Sequence, residues 1–185
     1  HAPYYINLNS AEAEKVEASR QRILKAARAG WLCGAKSIVF HPAFYHDDAA
    51  ELVYDRVRRH LEELVAELRA EANGAILRPE TTGKRSQLGT LEELVELSRE
   101  VEGVAPCVDF AHIHARTGEE NSYEAFAASL SLIKKRLGRA ALEDMHIHIS
   151  GIEYSPAGER EHLNLAEADL RYQELLKALK DFKTR

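Results

Sequence analysis

Apolar residues recur along the chain in two rhythms. Short runs rich in β-branched and aromatic residues, at Tyr4–Leu8, Lys36–Phe40, Ala75–Arg78, Pro106–Phe110 and Asp144–Ile149, read as strands. Between them the apolar positions return every three to four residues, the spacing of a helix that buries one face. Leu52, Val53, Val57, Leu61, Leu64, Val65 and Leu68 hold that rhythm through one such segment. Helices are accordingly predicted over Ala11–Ala29, Asp47–Ala72, Leu91–Val101, Tyr123–Leu137 and Leu165–Phe182. Asn9-Ser10 and Asp47-Asp48 supply polar starts, and Asn73-Gly74, Gly103 and Gly138 supply stops. Charged runs such as Glu62-Glu63 and Lys134-Lys135-Arg136 fall on solvated helix faces.

Five strand-then-helix units in succession predict an α/β fold, a parallel sheet with helical crossovers. No linker or break in composition divides residues 1–185, so a single domain is expected. The composition, 45% hydrophobic and 30% charged, is that of a globular chain and excludes a disordered or collagen-like one. No apolar run approaches the roughly 18 residues of a membrane span. Cys33 and Cys107 lie far apart without metal-binding spacing, and read as small buried hydrophobes in a reducing, cytoplasmic setting. The net charge of −5 argues against a broad basic face for nucleic acid and leaves room for a local one. The sequence opens at His1 directly in a strand-like run and stops in a helix, the expected look of a piece of a longer protein.

Function comes from the carboxyl ends of the strands, where parallel α/β folds build their sites. There stand His1, His41, Glu80, Asp109 with His112, and His146 with His148, and His162 follows in a later loop. Of the nine histidines only His60 reads as lying inside a helix. Imidazole and carboxylate together are ligands for zinc, manganese or iron. His1, His41, Glu80, Asp109 and His146 are spaced 40, 39, 29 and 37 residues apart. At that period a closed eight-unit barrel needs more chain than is present. Periodicity alone is equally consistent with an open sheet and with five-eighths of a barrel.

The motifs resemble the endonuclease IV family of apurinic/apyrimidinic endonucleases, within the xylose-isomerase-like TIM-barrel group. The resemblance runs in order through His1-Ala2-Pro3-Tyr4-Tyr5-Ile6-Asn7-Leu8, Phe40-His41-Pro42, Glu80-Thr81-Thr82-Gly83, Cys107-Val108-Asp109-Phe110-Ala111-His112 and His146-Ile147-His148-Ile149-Ser150. It implies five of the eight βα units of a TIM barrel, an incomplete xylose-isomerase-like barrel lacking the first two strands and the last. It also implies two zinc-like ions bridged by Glu80, one also held by His1 and His41, the other by Asp109 and His146. A third ion would use His112 and His162. The family's usual Asp-x-His is replaced here by Gly158-Glu159-Arg160-Glu161-His162, which makes Glu159, ahead of Glu161, the carboxylate partner of His162.

The implied activity is hydrolysis of duplex DNA on the 5′ side of abasic sites, in base-excision repair, by a monomer carrying two or three Zn2+, with Mn2+ or iron as substitutes. Glu80 would be the central catalytic group. Tyr4 would contact DNA, and Lys84, Arg85, Arg116 and Arg160 would neutralise phosphates. Two other readings stay open at this point: a metal-dependent sugar isomerase or epimerase of the same barrel group, and a non-catalytic barrel fragment. The number of histidines favours the hydrolase, because isomerase sites of this group lean on carboxylates.

Overall fold

Parallel strands form at four of the five runs where the sequence rhythm places them. The computed structural model describes residues 1–185. Helix α1 (Ala13–Leu32) leads to β1 (Ser37–Phe40), a short β2 (Ala43–Phe44) and α2 (Ala50–Ala70). There follow β3 (Ile76–Pro79), β4 (Gln87–Leu88) and α3 (Leu91–Glu100). The next unit holds β5 (Cys107–Asp109), α4 (Phe110–Thr117), α5 (Tyr123–Leu137) and α6 (Arg139–Glu143). The chain ends with β6 (His146–His148), a hairpin of β7 (Gly151–Ser155) and β8 (Gly158–Leu163), a 3-10 turn at Leu165–Glu167, and α7 (Tyr172–Asp181).

Strand β1 pairs in parallel with β3, Ser37 opposite Ile76 through Phe40 opposite Pro79. Strand β5 pairs in parallel with β6, Cys107 opposite His146 and Asp109 opposite His148. Parallel bridges Leu77–Val104 and Glu80–Cys107 join the two pairs into one ladder, β1-β3-β5-β6. The helices cover its outer face. Val53, Val57, Leu61, Leu64 and Leu68 of α2 are fully buried against α1 and the first two staves. Phe126, Leu130 and Ile133 of α5 join Val108, Phe110 and Leu175 in a second apolar cluster. The ladder is open, a run of barrel staves rather than a closed barrel.

Local chemistry sets the helix ends. Thr90 and Glu93 form a reciprocal capping box at the start of α3, and Ser122 caps α5. Asp109 closes β5 and caps α4 by accepting the His112 N–H at 2.9 Å.

Several expectations are corrected. No strand forms at Tyr4–Leu8. The segment lies beside β1, joined by the Ala2 N–H to the Val39 carbonyl at 2.8 Å and the Leu8 N–H to the Pro42 carbonyl at 3.0 Å. Pro3 has no N–H to give, and Tyr4 and Tyr5 are largely exposed, so the buried side chains of the segment are Ala2, Ile6 and Leu8. The last helix begins at Tyr172, not at Leu165. His60 is not the one helical histidine, since His112 and His114 stand on α4.

Candidate metal centre

Glu80 stands one residue past β3, at the end of the ladder where the chain leaves the sheet. Its side chain is buried and receives three imidazoles. His1 Nε2 lies 2.9 Å and His41 Nε2 3.1 Å from Oε2, and His148 Nδ1 lies 2.5 Å from Oε1. Burial by itself would hold the proton on this carboxyl. The contacts from His1, His148 and His41 outweigh it and keep Glu80 well below the usual carboxylate range. Asp109, equally buried, goes the other way. Burial pushes its carboxyl up, the charge of Glu80 adds to that, and the His112 ring and N–H only partly compensate.

A second group lies beside the first. His112 Nε2 faces His162 Nε2 at 3.2 Å, and Glu159 Oε2 is 3.6 Å from His112 Nε2. His112 is held by its other nitrogen, Nδ1, 2.8 Å from the Thr81 carbonyl. Thr81 also fixes Asp109, its hydroxyl accepting the Asp109 N–H at 2.8 Å. Ser150 Oγ steadies His162 Nδ1 at 2.7 Å. Both groups line one pocket of about 560 Å³, with Tyr4 at its rim.

The donor set fits divalent ions. A backbone carbonyl only accepts, so a ring nitrogen bonded to one carries the proton. His112 Nδ1 meets such a carbonyl, and so does His1 Nδ1, 2.6 Å from the Ala2 carbonyl. In the neutral ring each then turns a bare Nε2 lone pair into the pocket, His1 toward a carboxylate and His112 toward another imidazole. Lone pairs facing anions or one another are bridged by a proton or by a metal cation. A ring anchored through one nitrogen so that the other is free is the usual support of a metal-bound histidine. Neighbouring ligands of a tetrahedral ion with bonds of about 2.0–2.1 Å sit roughly 3.3 Å apart, close to the separations found here.

The site residues read from the sequence fall into three sets. His1, His41, Glu80, Asp109, His112, Glu159 and His162 converge on the pocket, and Tyr4 stacks at its edge, 4.9 Å from the His1 ring. His146 does not converge. Alternation places His146 and His148 on the same face, and the register puts His146 opposite Cys107, one step below the level of Asp109. The histidine at Glu80 is His148. The third set is the arginines. Arg116 gives its guanidinium to the Thr82 carbonyl and hydroxyl, the Lys84 carbonyl at 2.6 Å and the Gln87 carbonyl at 3.0 Å. Arg85 donates to the Arg116 carbonyl at 2.8 Å, and both line a separate cleft against α5. Arg160 pairs with Glu153 on the exposed face of the hairpin. Of these cations only Lys84 is exposed with no hydrogen bond or ion pair from its side chain.

Arg116 therefore pins the loop that follows Glu80. Removing it takes a charged donor from the Thr82, Lys84 and Gln87 carbonyls, and Arg116→Gln is expected to lower stability by about 1–3 kcal/mol. Urea unfolding measures this. An unchanged midpoint would return Arg116 to the role of a free surface cation.

Sequence pattern does not single out Thr81 and Ser150, nor His148 as the ring at the Glu80 level. The His-x-His spacing of β6 is the available signal for His148, but choosing between its two rings needs the register with β5.

A family model described as xylose isomerase-like TIM barrel matches residues 1–185. An uncharacterized protein of Methanocaldococcus jannaschii is 46% identical over 183 residues, covering 98% of this chain and 66% of that protein. A probable endonuclease 4 of Aquifex aeolicus is 28% identical over 182 residues, covering 96% of this chain and 64% of its own. The crystal structure of endonuclease IV from Thermus thermophilus superposes with a TM-score of 0.69 at 20% identity, over 98% of this chain and 63% of that one. The chain thus spans about two thirds of the length of these relatives.

Proposed function

The chain belongs to the xylose isomerase-like TIM barrel family, and on that footing we propose that it is a metal-dependent phosphodiester hydrolase of the endonuclease IV kind, cutting duplex DNA 5′ to abasic sites. The observation that carries the reading is the pairing of two donor groups in one pocket, rich in imidazole and joined through Thr81 and His112. The relative named a probable endonuclease 4 supports the same direction.

Zn2+ is the proposed ion, with Mn2+ or iron as substitutes. His1, His41 and Glu80 would hold one ion, Glu80, Asp109 and His148 a second, and His112, Glu159 and His162 a third. When bound, such ions supply an acidified water and a counter-charge to the phosphate. The chain's own residues do the rest. Glu80 presents a carboxylate to both sides of the pocket. Thr81 and the Ala2 carbonyl fix ring orientation. Tyr4 is 73% exposed and tilted over His1, which leaves a flat aromatic face at the pocket mouth for a base or sugar turned out of the duplex. Lys84, beside the Glu80 loop, is the cation left free for backbone phosphate. The reading also includes a monomer acting in the cytoplasm; no helix is long and apolar enough to cross a membrane.

The test is incubation of the zinc-loaded chain with a duplex carrying a single abasic site. A nick on the 5′ side leaving a 3′ hydroxyl is expected, abolished by chelator and restored by zinc. Turnover of a ketose or aldose with the duplex intact would replace this reading with the isomerase or epimerase one.

A further inference from the structure

Below the Glu80 level lies a second tier that the hydrolase reading leaves unused. Cys107 and His146 are opposite one another in the β5-β6 register, one step before Asp109 and His148. Side chains two residues apart on a strand share a face, so the two tiers form one column. The ligand atoms of Cys107, His146 and His148 all lie within 4.8 Å of one another. A sulfur and a nitrogen on opposite sides of one ion, with bonds of about 2.3 and 2.0 Å, are roughly 4.3 Å apart, so the group is of the right size. The Cys107 thiol is buried. The His146 ring is half-buried, with the His148 ring 5.2 Å away. No hydrogen bond ties either Cys107 Sγ or the His146 ring, whereas every ring of the upper tier is anchored.

Sulfur and imidazole without carboxylate favour soft ions, unlike the tier above, which adds three carboxylates. Charge narrows the choice. On the far side stands Arg78, buried and bonded to Ser37 Oγ at 2.8 Å and to the Asp144 carboxylate at 2.8 Å. Above stand the ions that Glu80 and Asp109 would hold; this step rests on the reading of that tier as a divalent centre. A further dication between the two is repelled from both directions. A monovalent ion on a thiolate forms a neutral unit and is not.

We propose that Cys107 and His146 form a separate two-ligand site for a soft monovalent d10 cation of the Cu(I) class. Uptake replaces the S–H bond of Cys107 by a sulfur–copper bond. The proton goes to buffer, the carrier chelator is released, and copper keeps its oxidation state.

The experiment is anaerobic titration of the zinc-loaded chain with Cu(I) against a chromophoric Cu(I) chelator, with zinc measured in the same samples. One equivalent should enter the unaltered chain and Cys33→Ser with zinc unchanged. Uptake should be at least tenfold weaker in both Cys107→Ser and His146→Gln. His146 is half-exposed, so His146→Gln decides the matter if Cys107→Ser does not fold. Uptake lost in Cys33→Ser, retained in His146→Gln, or gained only as zinc leaves would overturn the site. An unaltered chain that binds no zinc would instead overturn the reading of the upper tier, and copper uptake would still report on the lower one.

Discussion

Glu80→Gln should cost more activity than any other single substitution. The change keeps the volume and one oxygen acceptor but removes the charge, and two of the three proposed ion positions use that charge. Changes to residues that merely orient a metal ligand cost on the order of 10–100-fold. A shared ligand should exceed that, so abasic-site cleavage is expected to fall by at least about 100-fold. Elemental analysis should show the retained zinc dropping by more than one equivalent, since the ions held through Glu80 leave together. His60→Ala is the control. His60 sits on α2 beside Arg20 and Glu63, away from the pocket, and its loss should leave metal and cleavage unchanged. If Glu80→Gln folds, keeps its zinc and still cuts, the shared-carboxylate assignment fails.

The prominence of Glu80 is legible in the sequence alone. It follows a four-residue stave, and its counterparts His41 and Asp109 end β1 and β5 in the same way. Parallel strands bring such positions to one end whatever the strand order. The same short apolar runs locate β1, β3, β5 and β6, and the three-to-four rhythm locates α1, α2, α3 and α5. What stays hidden has weak or conflicting local signals. Helix α4 is buried on nearly every side, so Phe110-Ala111-His112-Ile113-His114-Ala115 shows no polar face and reads as strand and loop. Hairpin β7-β8 carries Glu153, Glu159, Arg160 and Glu161, charges that obscure its alternation. The role of Arg116 depends on loop carbonyls more than 25 residues away in sequence, which no pattern of side chains encodes.

That hairpin is where the second large effect is expected. Glu159 and His162 reach His112 only because the hairpin is pressed, backbone against backbone, onto the loop that follows Glu80. The seam is made by two glycines. The Glu159 N–H donates to the Gly83 carbonyl at 3.0 Å, and Gly158 bridges to Lys84. Gly158 has φ +105°, a backbone conformation that side chains rarely adopt, and a Cβ there would lie 2.2 Å from the Gly83 oxygen and 3.0 Å from the Lys84 Cα. Neither neighbour is a flexible side chain that can swing aside, so Gly158→Ala must lift the hairpin off the loop. Glu80 and its three imidazoles come from other elements and stay in place. The variant should therefore lose the ion assigned to His112, Glu159 and His162 while keeping those at Glu80. Cleavage should fall by about 10–100-fold, the range for disturbing the support of a metal ligand, with only a small change in melting temperature because β8 is largely exposed. Zinc content and cleavage together read the outcome: loss of all zinc would tie the hairpin to the whole centre, and no change in either would remove Glu159 and His162 from it.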